Sequence, residues 1–287
     1  MIYSYGVTKQ GHYHIKNDLP CQDAHLFKRL GDSFAIGAVA DGLGSELYTD
    51  VASKIAVKEA IAYCEERITE ASPEQEIHQV LKEAFAYALK QIEATAKEND
   101  HSMDQYDTTL VVAVYINGMV YFGNSGDSGI VVLNADGTYE SITEQQKDEN
   151  GCVYPLIFGE ECWAFGTKEN VASVFLATDG MYETLFPYLL QGEEVSIYVA
   201  LAHYMMCEES LGFATLGEEQ VNAKMTAFIE SIPAEQVSDD KTVLVMLNDA
   251  IKPQWQPEQY YQSPDWAELK KKRDEEYKRL AYPHLYE

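Results

Sequence analysis

Between residues 109 and 142 the chain reads as strand, tight turn, strand, corner, strand, tight turn, strand. Residues 109–116 and 119–122 are joined by Asn117-Gly118, and residues 130–133 and 139–142 turn at Asp136-Gly137. Asn-Gly and Asp-Gly favour the short turns that return a strand beside itself. A parallel pair would need a crossover of a dozen or more residues. Consecutive hairpins therefore predict antiparallel sheet and argue against a doubly wound parallel fold. Further strand-like runs lie at residues 2–7, 24–27, 36–40, 171–177 and 243–247.

Helices fill the gaps. After Ser45 a helix runs to about Thr69, with Val57, Ile61, Cys64 and Ile68 on one face, so Cys64 is read as core. Ser72 is placed as the N-cap of a second helix, Pro73 as its first residue, and Gln75 in the capping-box position. Ile77, Leu81, Ala84, Ala88 and Ile92 form its apolar face, and it should end near Ala96. Residues 97–107 read as a polar loop and 143–167 as irregular. Residues 182–232 read as mainly helical, a cover packing on a sheet. Beyond Pro253, Trp255, Pro257, Tyr260 and Tyr261 mark an extended aromatic arm, followed by a charged helix over 265–280 that docks or meets a partner. The expected division is a domain over 1–250 and an arm with helix over 251–287.

Composition narrows the partners. With 47 acidic and 21 basic residues the net charge is -26, a surface that repels phosphate backbones but not metal ions. Nucleic acid is therefore excluded as the expected partner. Five scattered cysteines without a Cys-x-x-Cys pair argue against structural zinc and a disulfide framework. No apolar run reaches the roughly 18 residues of a membrane span, and the N-terminus lacks a signal-peptide pattern. A cytoplasmic monomer is expected.

Chemistry concentrates where strands end. The stretch Ile36-Gly-Ala-Val-Ala-Asp41-Gly42-Leu-Gly44-Ser45 is an apolar strand that stops at an acid and glycines. Residues 171–177 repeat the design, ending in Thr178-Asp179-Gly180-Met181. Asp23 precedes a strand, Asp127 sits in the corner Gly123-Asn-Ser-Gly-Asp-Ser-Gly129, and Asp239-Asp240 lead into the last strand. A strand holds such a carboxylate in place, and hard divalent cations want oxygen ligands of this kind. Gathered in one cleft, five carboxylates would repel one another and their pKa values would rise. A pair of divalent ions about 3.5–4 Å apart relieves that repulsion and forms a clamp for phosphate ester hydrolysis. His12 and His14, at i and i+2, would serve as metal ligands on one side of a strand or lie on the surface. His14 and Lys16 are also cations that could hold a phosphate. No Gly-x-Ser-x-Gly elbow or Gly-x-x-x-x-Gly-Lys-Ser/Thr loop is present. Cys21, among acids, makes a poor thiolate.

In this order the motifs around Gln22-Asp23, Asp41-Gly42, Asp127, Asp179-Gly180 and Asp239-Asp240 resemble those of the type 2C metal-dependent serine/threonine protein phosphatases, the bacterial branch most closely. The resemblance covers residues 2–248. It implies a four-layer α-β-β-α sandwich, two antiparallel sheets flanked by helices, with the metal cleft between the sheets. It implies two Mn²⁺ or Mg²⁺ ions bridged by Asp41, with the Gly42 carbonyl on the second and Asp179 and Asp239 completing the first. Asp127 with Asp179 would hold a third ion. Asp23, Gln22 and Asp240 would support the cluster from behind. The substrate would be phosphoserine or phosphothreonine in a protein, attacked by a hydroxide shared between the metals. The variable flap would fall within residues 182–238. Two departures stand out: Gln22 occupies a position where many members carry glutamate, and no arginine precedes Arg29 to grip the phosphate. The other reading is a catalytically weak or inactive binding module on the same fold.

Overall fold

The apolar runs Phe34–Ala40 and Leu110–Ile116 are buried along their whole length. A strand with one wet face alternates polar and apolar residues. A continuous run of this kind needs apolar cover on both faces, as in a buried sheet. A computed structural model, which describes residues 1–44 and 46–283, supplies that cover in four layers.

The strands in chain order are β1 (Ile2–Lys9), β2 (Ala24–Arg29), β3 (Phe34–Ala40), β4 (Leu110–Ile116), β5 (Met119–Ser125), β6 (Gly129–Asn134), β7 (Tyr139–Ser141), β8 (Ala164–Lys168), β9 (Val171–Ala177) and β10 (Lys241–Asn248). One five-stranded sheet has the order β1-β10-β9-β6-β7 and the other β2-β3-β4-β5-β8, with antiparallel pairing throughout. The helices are α1 (His12–Lys16), α2 (Thr49–Arg67), α3 (Glu74–Glu98), α4 (Asp179–Tyr182), α5 (Val199–Met206), α6 (Glu208–Leu211), α7 (Phe213–Glu230) and α8 (Trp266–Ala281).

Alternation along each strand sorts side chains into three apolar layers. Ala35, Val39, Val111 and Tyr115 meet Ile130, Val174, Leu244 and Met246 between the sheets. Ile36, Ala38, Val112 and Val114, on the opposite face of the same strands, pack under α2 and α3 against Ala56, Ala60, Leu81 and Phe85. On the outer face of the other sheet, Val131, Phe175 and Val245 lie under Met205, Met206, Met225 and Ile229 of the helical cover.

Local signals misplaced several boundaries. Pro73, not Ser72, is the N-cap of α3, because the Ser72 hydroxyl is used to accept the Thr69 N–H at 3.1 Å. The helix ends at Glu98, two residues beyond Ala96. The segment read as irregular contains β8, whose partly exposed residues pair with β5 at the sheet edge. Residues 12–16, where His12 and His14 were read on one side of a strand or on the surface, form the helix α1, which leaves His12 exposed and His14 buried. The cover over residues 182–232 is helical but broken, with a non-helical kink at Gly217 inside α7. Ser45, which closes the first acid-bearing stretch, and residues 284–287 of the C-terminal segment lie outside the described residues.

The C-terminal arm packs on the sandwich. Tyr260 accepts the Tyr139 N–H at 2.9 Å, Tyr261 donates to the Gly137 carbonyl at 2.9 Å, and Trp255 stands edge-on to His203. Asp265 caps α8 by accepting from Ala267 and Glu268 N–H groups. Trp266 then meets Tyr198 edge-on, and Lys272 pairs with Glu193 at 2.6 Å. Among the described residues, no helix is long and apolar enough to cross a membrane.

Candidate metal centre

Strand register carries the acids to one end of the sandwich. Ala24 lies opposite Ala40 in the β2/β3 pair, so Asp23 and Asp41, one residue beyond each, are neighbours. Ala177 of β9 lies opposite Val243 of β10 and Gly129 of β6. Asp179, Asp239 and Asp127 stand just beyond those three strand ends. Each sheet thus contributes acids to a shared edge of the cleft.

The backbone at Asp41 is held by Thr108 and Thr109, just ahead of β4. Its carbonyl accepts from Thr109 N–H at 2.8 Å and the Thr108 hydroxyl at 2.9 Å, and its N–H donates to Thr109 Oγ1 at 2.9 Å. Gly42 N–H donates to the Gln22 carbonyl at 3.1 Å, and a β-carbon on Gly42 would stand 2.6 Å from the Thr49 carbonyl oxygen. This glycine is needed for close approach to the first turn of α2. Asp179 opens α4, and its Oδ1 accepts the Gly180 N–H at 2.5 Å. A β-carbon on Gly180 would press into the Asp240 carbonyl oxygen. Asp23, buried, accepts the Thr178 hydroxyl at 2.7 Å. Asp240, also buried, accepts Gly11 N–H at 2.6 Å, Gln22 N–H at 2.7 Å and faces His14 Nδ1 at 2.8 Å. Asp239 is 55% exposed.

These carboxylates raise one another's pKa. Burial pushes Asp41 well above the ordinary carboxylate range, and Asp23, Asp179, Asp127 and Asp239 push it further. Asp23 rises through burial and then Asp240. Asp179 is pushed up to about 7 by burial, then by Asp127, Asp239 and Glu183. Asp127 rises through burial even though Lys147 pairs with its Oδ2 at 2.9 Å. The remaining oxygen, Asp127 Oδ1, is buried without a hydrogen-bond partner, as is Gln22 Oε1. An orphaned buried oxygen costs about 1–3 kcal/mol. A set of hard oxygen donors, mutually repelling and partly unpaired, fits divalent cations such as Mg²⁺ or Mn²⁺.

Of the two expected phosphate cations, His14 is in the centre and buried, while Lys16 is exposed two residues on, about half a helical turn away on α1. Sequence reasoning missed Thr108, Thr109 and Thr178, which position acids, and Lys147, which also reaches Glu183 at 3.0 Å. Thr108 and Thr178 flank predicted strands and Thr109 opens one, so they were legible in kind. Lys147 lies in a segment without periodicity and left no signal.

Asp179 and Asp239 also line a groove of about 1120 Å³. Tyr182, Phe186, Tyr198, Phe228 and Trp266 supply its apolar wall.

A family model described as protein phosphatase 2C matches residues 10–230. Among solved structures, the chain is similar to a bacterial serine phosphatase bearing an R161E mutation, at 18% identity and a TM-score of 0.56, covering 86% of this chain and 98% of that one. It is similar to serine/threonine phosphatase Stp1 from Staphylococcus aureus at 16% identity and a TM-score of 0.57, covering 86% and 95%. The serine-threonine phosphatase 2C from Toxoplasma gondii matches at 15% identity and a TM-score of 0.57, covering 85% and 94%. At these identities the structural likeness speaks for the fold alone. No curated protein matches the chain by sequence.

Proposed function

This chain belongs to the protein phosphatase 2C family, and we propose that it hydrolyses phosphoserine or phosphothreonine in proteins with two divalent ions. The observation that carries the reading is the mutually repelling cluster of buried Asp23 and Asp127 and half-buried Asp41 and Asp179 beside Asp239. Nothing in the stability of an antiparallel sandwich calls for that concentration of charge.

Asp41, Asp179 and Asp239, with the Gly42 carbonyl, would hold the two ions. Bound there, such ions would acidify a water and offset charge on the phosphoryl oxygens. The chain's own part is placement. Thr108 and Thr109 fix the Asp41 backbone, so its carboxylate stays aimed into the cleft. Thr178 does the same for the Asp23 side chain. Asp127 would meet a third ion through Oδ1, since Lys147 already holds Oδ2. The aromatic groove beside Asp179 and Asp239 has room for the polypeptide flanking the phosphorylated residue, and the variable flap would fall within residues 182–238. Five free cysteines fit a reducing, cytoplasmic setting.

Hydrolysis of para-nitrophenyl phosphate by chelator-stripped protein, with Mn²⁺ or Mg²⁺ restored, tests the reading. Turnover that needs metal and vanishes in Asp41→Asn supports it. No turnover from folded, metal-loaded protein overturns it in favour of a binding module.

A further inference from the structure

His14 has an arrangement that a phosphate-gripping cation does not require. Its side chain is 4% exposed. One ring nitrogen, Nδ1, is 2.8 Å from Asp240 Oδ2. Asp240 is otherwise committed to the backbone N–H groups of Gly11 and Gln22, so it has no freedom to move toward an ion itself. The ring is thereby fixed, and its other nitrogen looks into the centre. Nε2 lies 3.6 Å from Asp239 Oδ1. That separation is long for a hydrogen bond, whose usual range ends near about 3.2 Å. Two ligands each about 2.0–2.2 Å from one ion stand roughly 3 to 4.2 Å apart, depending on the angle between them. The gap suits a shared cation.

A second feature points the same way. Gln22 Oε1 is buried and has no hydrogen-bond partner. A β-carbon on Gly44 would stand 3.5 Å from this oxygen and 4.0 Å from His14 Nε2. The neutral oxygen and the imidazole nitrogen therefore both lie beside Gly44.

We infer that His14 Nε2 is a ligand to a divalent cation shared with Asp239, with Gln22 Oε1 at its side and Asp240 orienting the ring. The unit Asp240–His14–cation is the carboxylate–histidine–metal arrangement that fixes a ligand's tautomer and raises its basicity. It restores, with nitrogen, the donor strength that an amide at position 22 lacks. Imidazole favours borderline transition ions, whereas Mg²⁺ prefers oxygen and water. The ion at this position is therefore of the Fe²⁺, Co²⁺ or Zn²⁺ class, and Mn²⁺ serves as its paramagnetic probe. The inference rests on the two-metal reading above and names a ligand that reading does not contain.

The test loads chelator-stripped protein with Mn²⁺ and uses pulsed electron paramagnetic resonance to detect an imidazole nitrogen coupled to the ion. The wild-type protein should show that coupling and His14→Gln should lose it. Calorimetric affinity for Co²⁺ should fall tenfold or more in His14→Gln, on the order of the losses seen when a metal's supporting residues are removed. Absence of nitrogen coupling in the wild-type protein overturns the assignment without reference to any variant's folding. Coupling that persists in His14→Gln also overturns it. So does a variant with unchanged metal affinity and weakened binding of inorganic phosphate, which would make the ring a phosphate donor. Turnover of para-nitrophenyl phosphate is measured on the same samples. Turnover without nitrogen coupling removes this ligand and leaves the phosphatase reading intact. Nitrogen coupling without turnover supports the ligand and removes the phosphatase reading.

Discussion

The chain makes the same local statement twice, as β3 followed by Asp41-Gly42 and as β9 followed by Asp179-Gly180. The two corners are built differently. At the first, the backbone runs past the end of β4 and is bonded there at three points by Thr108 and Thr109. The helix begins only at Thr49. At the second, α4 begins at the acid itself, and the preceding Thr178 reaches across to Asp23, just ahead of β2 in the other sheet. Both glycines are needed for close approach, one to α2 and one to the backbone of Asp240. An acid at the end of a strand is thus a local motif. Its place in the cluster is set by whichever element the next residue must touch.

The largest expected effect separates the two acids by role. Asp41→Asn should abolish metal-dependent turnover, whereas Asp179→Asn should leave a residue of activity that extra metal partly recovers. In chelator both variants should melt higher than the parent, since each removes one member of a repelling cluster. Calorimetric melting alongside ester hydrolysis checks both arms, and loss of stability in either variant would break the account of mutual repulsion.

Next in size are the glycines. Gly180→Ala and Gly42→Ala each force a methyl group against a backbone carbonyl, which cannot swing aside as a flexible side chain would. Each should cost about 1–3 kcal/mol of stability in urea titration, the usual range for overpacking. Gly180→Ala should be the worse, because its contact is the closer.

A pH series compares the cluster with and without metal. Unfolded, these carboxyls titrate near 3.8; folded and metal-free, Asp179 titrates at about 7 and Asp41 is also raised. Over that interval the folded chain holds more protons than the unfolded one. Raising the pH therefore lowers the stability of the metal-free protein. Its melting temperature should fall between about pH 5 and pH 8, a span that runs from below to above the folded value of Asp179. Saturating Mn²⁺ should flatten or reverse the fall, since a cation favours the charged form. An equal slope with and without metal would show that the cluster does not hold the ion.

The smallest effects sharpen the difference in how the two corners are tied. Thr109→Val removes a hydroxyl that serves Asp41 N–H and Ser128. Thr178→Val leaves the buried Asp23 carboxylate short of a donor. Both should cost about 1–3 kcal/mol, the penalty for an unsatisfied buried group. Metal affinity by calorimetry should drop more for Thr109→Val, because its partner is the acid proposed to bridge both ions.

Much of this was legible beforehand for a definite reason. Strand and turn chemistry is written in neighbouring residues, so the hairpins at Asn117-Gly118 and Asp136-Gly137 declare antiparallel sheet, while the layered sandwich was implied by the family resemblance. The acids at the strand ends were legible as well, because antiparallel register brings such ends together. Edge strand β8 was not, since a partly exposed pairing strand carries little apolar pattern. Nor was the short α1, whose place depends on what it touches.

By itself, then, the order of residues determined antiparallel sheet, the main helices and the stock of carboxylates at strand ends. Tertiary structure decided which partner each carboxylate receives. His14 meets Asp240 across 226 residues of chain, and Gly11 meets it across 229. Thr178 reaches Asp23 across 155. No local propensity encodes such pairings. They exist because burial leaves each polar atom only the neighbours that packing brings within reach, and an unpaired one is costly.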